Sequence, residues 1–300
     1  MAAAKPLDDG RFSAELRQWR EHGQYIELDG QHYFYRDLGQ GPALLMVHGF
    51  PTSSWDWHKI AQALAQDYRV LAPDMLGFGF SDKPEGGDYS TAAHARFHER
   101  FLAALGIREV HVLTYSCGAS VVQQMLLNNL QAQPHQAPLN IATVTFLNGG
   151  LFAASNKPKL SQHLLLSPLG PLLARLMRRS SLERNLRAIF GPATQPDAQL
   201  ISDYWELLKL NGGRERLPQL IGYLRDRARF ALPWQQALVD HPARKQLVIG
   251  LQDSISGRLI AEDYRELMPD PLIRALPDIG HYPQLEAPQM VIEAVRALAR

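Results

Sequence analysis

The sequence predicts an α/β protein, a mostly parallel β-sheet with helices on both faces and a helical cap inserted late in the chain. Three observations carry that reading. Short, mostly apolar runs of strand length recur along the chain, segments of helical period separate most of them, and from 151 to 240 the strand signal is missing. A continuous apolar run suits a strand buried on both faces, and strands that alternate with helices join in parallel through crossovers that cover the sheet.

Taken in order, QYIELDGQHYFYRDLG (24–39) holds two alternating segments around Asp29-Gly30, a favoured two-residue turn for an antiparallel hairpin. Apolar runs follow at 43–47, 68–72, 110–114 and 142–147, and again at 246–250 and 272–276. Between them lie WHKIAQALAQ (57–66) and TAAHARFHERFLAALG (91–106), the latter opened by a Ser90/Thr91 cap and closed by Gly106. The final helix reads EAPQMVIEAVRALA. Because strand and helix alternate again from QLVIG onward, the expected division is a core of residues 1–150 and 241–300 with a cap of 151–240. No internal repeat or low-complexity tract is present.

Composition narrows the function by exclusion. Hydrophobic residues make up 46% and charged residues 20%, as in an ordinary globular protein. Thirty-one basic against 30 acidic residues leave a net charge of +1, so nothing advertises a nucleic-acid partner. The single Cys117 excludes an internal disulfide framework and a multi-cysteine metal site. The start, MAAAKPLDDGRF, has no apolar signal region, and no run of about 18 apolar residues could span a bilayer. A cytoplasmic location is expected.

In an open parallel sheet, function collects where loops leave the carboxyl ends of the strands. Thr114-Tyr115-Ser116-Cys117-Gly118 sits at such an end and runs directly into the helix-like ASVVQQMLL. Small residues two places either side of a central nucleophile mark the strained turn called a nucleophile elbow. Ser116 is the expected nucleophile, although Thr114 is larger than the usual Gly. Cys117 is the rival, but centring the turn on it would put Tyr115 in the cramped position; a purely structural turn is the third reading. A serine hydroxyl needs a base, and the base a group that orients it. Asp253, just past QLVIG, and His281, after LPDIG, supply these in the order Ser, Asp, His. Asp270 and Asp278 are rival acids, too near His281 along the chain to arrive on a separate strand. The backbone N–H groups of Phe50 and Cys117 are the expected oxyanion donors, with a simple turn at His48-Gly49 as the plainer reading.

Other features have plainer readings. Gly77-Phe78-Gly79-Phe80-Ser81-Asp82 lacks the third Gly of a dinucleotide fingerprint and reads as a tight turn. His94 and His98 have the spacing of two zinc ligands, but Ala95 stands where a zincin has Glu and no third ligand is evident, so a packed or solvated pair is expected. Trp55 and Trp57 fit pocket lining and core packing equally. LLLSPLGPLLARLMRRSSLERNLRAIF (164–190) combines leucines with Arg175, Arg178, Arg179, Arg184 and Arg187. Peripheral membrane contact is one reading, and a cap with one face on the pocket and one in water is favoured. Tyr115, Trp55, Tyr204 and Trp205 are expected to meet substrate.

Together, His48-Gly49-Phe50-Pro51-Thr52-Ser53-Ser54, Asp74-Met75-Leu76-Gly77-Phe78-Gly79-Phe80-Ser81, the elbow, Asn148-Gly149-Gly150 and His281-Tyr282-Pro283-Gln284-Leu285-Glu286 resemble the α/β-hydrolase superfamily. Within it the chain is similar to the haloalkane dehalogenase and epoxide hydrolase branch, and most of all to proteins of the mesoderm-specific transcript type, over about residues 25–300. The resemblance implies an α/β-hydrolase fold with an eight-stranded sheet and a helical cap, no cofactor, and Ser116, Asp253 and His281 as a triad. The chain departs from that group at the elbow, where the group has His-Asp-Tyr-Gly with Asp as nucleophile and this chain has Tyr115-Ser116-Cys117-Gly118. Cys117 also stands where a dehalogenase has its halide-binding Trp, and Phe50 where Asn usually follows His-Gly. An aspartate attacking an sp³ carbon leaves an ester that water can cleave, whereas serine would leave an inert ether. Attack at a carbonyl is therefore expected. A carboxylic ester of a small or medium apolar substrate comes first, with thioester, lactone or C–C bond cleavage as neighbours. A non-catalytic ligand-binding or regulatory protein is the alternative from another class. No metal is expected, and the oligomeric state is not legible.

Overall fold

In the computed structural model, which describes residues 9–132 and 139–299, the chain forms eight strands. They are β1 (Gln24–Leu28), β2 (Gln31–Leu38), β3 (Ala43–Val47), β4 (Arg69–Pro73), β5 (Glu109–Thr114), β6 (Asn140–Phe146), β7 (Arg244–Gly250) and β8 (Leu272–Leu276). The helices are α1 (Ala14–Glu21), α2 (His58–Leu64), α3 (Thr91–Ala104), α4 (Gly118–Gln131), α5 (Leu160–Leu166), α6 (Gly170–Leu176), α7 (Arg179–Arg187), α8 (Ala198–Lys209), α9 (Gly213–Leu220), α10 (Tyr223–Arg229), α11 (Ala231–Asp240), α12 (Arg258–Leu267), α13 (Pro283–Glu286) and α14 (Pro288–Leu298). Residues 1–8, which carried the reading of the chain's start, lie outside the described residues, as do 133–138 and 300 of the expected core.

All eight strands share one sheet in the order β1-β2-β4-β3-β5-β6-β7-β8. The hairpin β1–β2 turns at Asp29 and Gly30, both at positive φ (55° and 73°), as a tight two-residue turn requires. Strand β2 also runs antiparallel to β4, and every later pairing is parallel. Strands β5, β6 and β7 begin before their apolar runs, because pairings such as Glu109 with Asn140 and Thr143 with Arg244 extend the ladder past the buried residues.

Alternate residues of each central strand face opposite sides, so every apolar run feeds two cores. Leu45, Val47, Val112, Val144, Phe146, Leu247 and Ile249 pack with α3, α4, α11 and α12. Leu44, Met46, Val70, Leu113 and Val248 pack with α1, α2 and α14. Each such side chain, fully removed from water, contributes about 1.5–3 kcal/mol. After β3 the chain moves to β4 on one side and then crosses to β5 on the other. That reversal opens a crevice beyond the carboxyl ends of β3 and β5, where ligands of open α/β sheets bind.

Between β6 and β7 the described residues form seven helices, α5 to α11, and no strand. Helix α11 lies against α4, where Trp234 Nε1 donates to Gln124 Oε1 at 2.9 Å. Among the described residues no helix is long and apolar enough to cross a membrane.

Helix α1 is absent from the sequence expectation, since only Leu16 and Trp19 of AELRQWRE are buried and the apolar stripe is thin. Its stability comes from tertiary contact. Ser13 caps it by accepting from the Leu16 N–H at 3.1 Å and donates its hydroxyl to the buried Asp203 of α8 at 2.6 Å. Ser13→Ala is expected to lower the unfolding free energy by about 1–3 kcal/mol, because the cap is lost and Asp203 gives up a donor. Urea denaturation checks this, with Ser13→Thr retaining most of the stability.

Candidate active site

Strand β5 ends at Thr114 and α4 begins at Gly118, so the chain reverses within three residues. Ser116 takes φ +56°, a left-handed conformation that costs a non-glycine residue about 1–3 kcal/mol. The Ser116 N–H donates to the Asn148 carbonyl at 2.6 Å and the Gly118 N–H to the Tyr115 carbonyl at 2.9 Å, holding the corner closed. A Cβ on Gly118 would stand 2.6 Å from the carbonyl oxygens of Val47 and His48 and 2.7 Å from Thr114 Oγ1. Thr114 is therefore tolerated because Gly118 leaves its side chain room. A Cβ on Gly49 would lie 2.5 Å from Ser116 Cβ, so the loop after β3 also needs glycine.

Cys117, the rival nucleophile, lies at the ordinary φ of −69°, and its side chain turns into the apolar core. Burial pushes its thiol up to about 12, which leaves it protonated at neutral pH.

The loops after β7 and β8 bring Asp253 and His281 together, with His281 Nδ1 2.6 Å from Asp253 Oδ2. Burial alone would raise Asp253; the neighbouring His281, the Ser256 hydroxyl (2.5 Å) and the Ile255 N–H (2.8 Å) outweigh it and hold the carboxyl below the usual range. With Asp253 accepting from Nδ1–H, Nε2 is the nitrogen free to accept a proton. Asp270 and Asp278 are exposed, and among the described residues neither forms a hydrogen bond or ion pair with His281.

Asn148, quoted in the sequence without a role, joins these parts. Its carbonyl takes the Ser116 N–H, its Nδ2 donates to the Gly250 carbonyl (2.9 Å) and to Asp253 Oδ2 (3.1 Å), and its Oδ1 accepts from the Gly250 N–H (2.7 Å). His48 holds the opposite loop: Nε2 accepts from the Met75 N–H at 3.0 Å, so Nδ1 carries the proton given to the Gly49 carbonyl at 2.9 Å.

Ser116 and His281 line one cavity of about 350 Å³, together with Phe50 and Gly150. Its wall is Leu165, Leu173, Leu182, Leu186 and Leu217, with Met177, and its polar groups include Asn156, Gln162, Tyr223, Lys159 and Arg227. Among the described residues no Asp or Glu faces it. The Ser116 hydroxyl makes no hydrogen bond among the described residues, and no carbonyl accepts from the N–H of Phe50 or Cys117. In the leucine-rich 164–190 segment Leu165 and Leu186 face the cavity, while Leu169, Leu172, Arg175, Arg178 and Arg179 are exposed.

A mostly parallel sheet of this order, with a left-handed serine corner at its switch point, defines the α/β-hydrolase fold. A family model described as the alpha/beta hydrolase fold matches residues 42–288, and the chain belongs to that family. It is 34% identical over 305 residues to the mesoderm-specific transcript protein of Mus musculus, covering 98% of this chain and 90% of that one. It is 35% identical over 288 residues to the putative hydrolase LipZ of Mycobacterium tuberculosis, covering 95% of this chain and 98% of that one. Among solved structures it is similar to the epoxide hydrolase CorEH, with a TM-score of 0.77 at 21% identity over 92% of this chain and 97% of that one, which is a likeness of fold.

The four aromatic residues expected to meet substrate do not line the cavity. Trp55 is buried, stacked on His58 at 4.1 Å and edge-on to Trp19, and Trp57 is likewise core. Trp205 packs against Ala174, Leu208 and Leu217, with Lys209 Nζ 5.8 Å over its ring. Tyr115 and Tyr204 point away from the cavity to the wholly buried Asp56: Tyr204 donates to Oδ1 at 2.5 Å, Tyr115 donates to Oδ2, and Thr52 donates to Oδ2 at 2.5 Å. His94 and His98 are buried and packed, and burial lowers both; among the described residues no cluster of three or more His, Cys, Asp or Glu could hold a metal.

Thr52, Tyr115 and Asp56 Oδ2 form a triangle, since the two hydroxyls are also 2.5 Å apart. With both hydroxyls donating to Oδ2 the edge between them holds no proton; a proton on Asp56 fills the triangle by donating to one hydroxyl, which turns its own proton to the other. Consistent with that count, burial raises the Asp56 carboxyl to about 7 despite its hydroxyl donors. A folded value above the unfolded one means that its stability contribution is whole below about pH 4 and is lost as pH rises through about 7. Asp56→Asn is therefore expected to gain on the wild type by roughly 2–3 kcal/mol between pH 5 and pH 8. Urea midpoints at the two pH values test this, and a parallel fall in both proteins would reject a neutral Asp56.

Proposed function

We propose that the protein is a serine hydrolase that cleaves a carboxylic ester through an acyl-enzyme intermediate. The observation that carries this reading is the 2.6 Å pairing of His281 with Asp253 on the wall of the cavity into which the left-handed Ser116 opens. In this mechanism a rotation of the Ser116 hydroxyl brings it to His281 Nε2, an adjustment common when a site holds no substrate. Oγ then bonds to the ester carbonyl carbon as its proton passes to Nε2, and Asp253 stabilises the imidazolium. The N–H groups of Phe50 and Cys117 hold the oxyanion, an effect of about 3–4 kcal/mol per donor. Collapse breaks the carbon–oxygen bond to the alcohol, which leaves with the proton from Nε2. Water, deprotonated by His281, releases the acid by the same route.

Serine supports carbonyl chemistry where the aspartate of related elbows supports displacement at an sp³ carbon. The apolar leucine wall favours a small or medium acyl group. The helices from α5 to α10 act in this reading as the cap, with α11, on its packing against α4, counted with the core; this trims the cap expected over 151–240. The unbonded Ser116 hydroxyl is the one observation on the side of a binding protein without catalysis.

One reagent separates the two. Wild-type protein is expected to be labelled by a fluorophosphonate probe. Ser116→Ala should abolish the label and lower hydrolysis of 4-nitrophenyl butyrate by roughly three or more powers of ten. Turnover unaltered in Ser116→Ala would refute the assignment, and an unlabelled wild type would favour the binding protein.

A further inference from the structure

Arg227, on α10, is only 4% exposed and lines the cavity with Ser116 and His281. Its Nε and Nη2 both donate to one acceptor, Ser120 Oγ, at 3.2 and 3.1 Å. Nη1 donates to no group among the described residues, and no carboxylate pairs with the guanidinium. An arginine keeps its charge under any physiological condition, and buried charges are ordinarily paired.

The neighbours do not supply the missing charge. Cys117 and Tyr223, the ionisable groups that interact with Arg227, are both raised by burial and stay neutral near pH 7. Tyr223 lies beneath the guanidinium at 5.1 Å and accepts from Gln162 Nε2 at 3.3 Å, which leaves its own hydroxyl proton to donate. The second cation on the wall, Lys159, has no ion pair among the described residues. Gly150 makes the room: a Cβ there would run into Arg227 Nη1 and Cζ and lie 2.7 Å from Asn156 Oδ1. The cavity thus holds a built site for an anion, with a fixed guanidinium and a tyrosine hydroxyl and, among the described residues, no Asp or Glu on its wall.

On the serine-hydrolase reading above, we infer that Arg227 binds a carboxylate carried by the substrate, so that the enzyme prefers an ester with a free acid group at its far end. Ser120, which anchors the guanidinium, lies in the first turn of α4 just past the Ser116 corner, so the carboxylate and the scissile carbonyl of one small substrate would be held by neighbouring parts of the same cavity wall. Arg227 is a specificity residue here, and Ser116 and His281 retain the bond-breaking steps.

The test compares monoethyl glutarate with its uncharged isostere, ethyl 4-carbamoylbutanoate, by ethanol release at pH 7.5. For wild type, kcat/KM for the acid should exceed that for the amide at least tenfold, chiefly through KM. Arg227→Gln should bring the ratio near one and Arg227→Lys should restore part of it. Equal turnover of the two esters by wild type overturns the inference while leaving the hydrolase reading intact, whether or not the variants fold. Where neither ester is cleaved, thermal denaturation with free glutarate decides: stabilisation of wild type that Arg227→Gln loses upholds the anion site and rejects ester hydrolysis, and no stabilisation rejects the anion site as well.

Discussion

Most of the site hangs on a backbone constraint, the left-handed corner at Ser116 between β5 and α4. A side chain held at φ +56° stands proud of the sheet, but the same turn drives the start of α4 against the loop after β3. Only glycine fits at 118 and 49, where a Cβ would overlap carbonyl oxygens or Ser116 itself. The strain, about 1–3 kcal/mol, is held by a hydrogen bond from the Ser116 N–H to Asn148 and by the packing of the buried carboxyl ends of β3 and β6 on either side. A corner of this kind persists only because its surroundings over-determine it.

Asn148 carries that constraint sideways. Its main chain restrains Ser116 while its side chain holds Gly250 and Asp253, so the serine corner and the acid loop are built on one residue at the end of β6. The parallel sheet makes this possible, because the ends of β5, β6, β7 and β8 all point the same way and their loops meet. Asp253 keeps its charge in a buried place because His281, Ser256 and the Ile255 N–H surround it. The acid proposed for catalysis is thus aligned in part by Asn148 and Ser256, which do not line the cavity.

Features encoded locally were legible in the sequence. The apolar runs at 43–47 and 272–276 coincide with β3 and β8, Asp29-Gly30 makes the hairpin, and the Ser90 side chain accepts from the Ala93 N–H at the start of α3. The corner at Ser116 was legible because its requirement for small neighbours falls within five residues, and the meeting of Asp253 with His281 because each follows a recognisable strand. What depends on distant partners was not. Tyr115 and Tyr204 are aromatic residues in the right segments, yet a buried Asp56, far from Tyr204 in the chain, draws both hydroxyls away from the cavity. Trp55 is claimed by Trp19 and His58, the former on a helix whose stability is itself tertiary. Arg227 gave no signal, because a missing counter-charge is a property of the folded neighbourhood.

Asp56 and Arg227 show two ways of burying an ionisable group. Asp56 can shed its charge by taking a proton, and the hydroxyl triangle around it has a place for that proton, so burial there is self-consistent without any ligand. Arg227 has no such exit. Burial disfavours its charge, yet the shift available to a guanidinium is far too small to neutralise it near pH 7, and a lone Ser120 hydroxyl offers it dipole but no charge. Burying an unpaired ion costs several kcal/mol even after relaxation, which is a large share of the net stability of a domain. A chain seldom retains such a cost in an apolar wall without return. An anion entering the cavity would recover part of it, so binding energy at Arg227 is stored in the empty protein and released only to a ligand of the right charge. On the proposed reading, that arrangement would discriminate against neutral esters through an unsatisfied cation, a stronger filter than the shape of a leucine-lined pocket can provide.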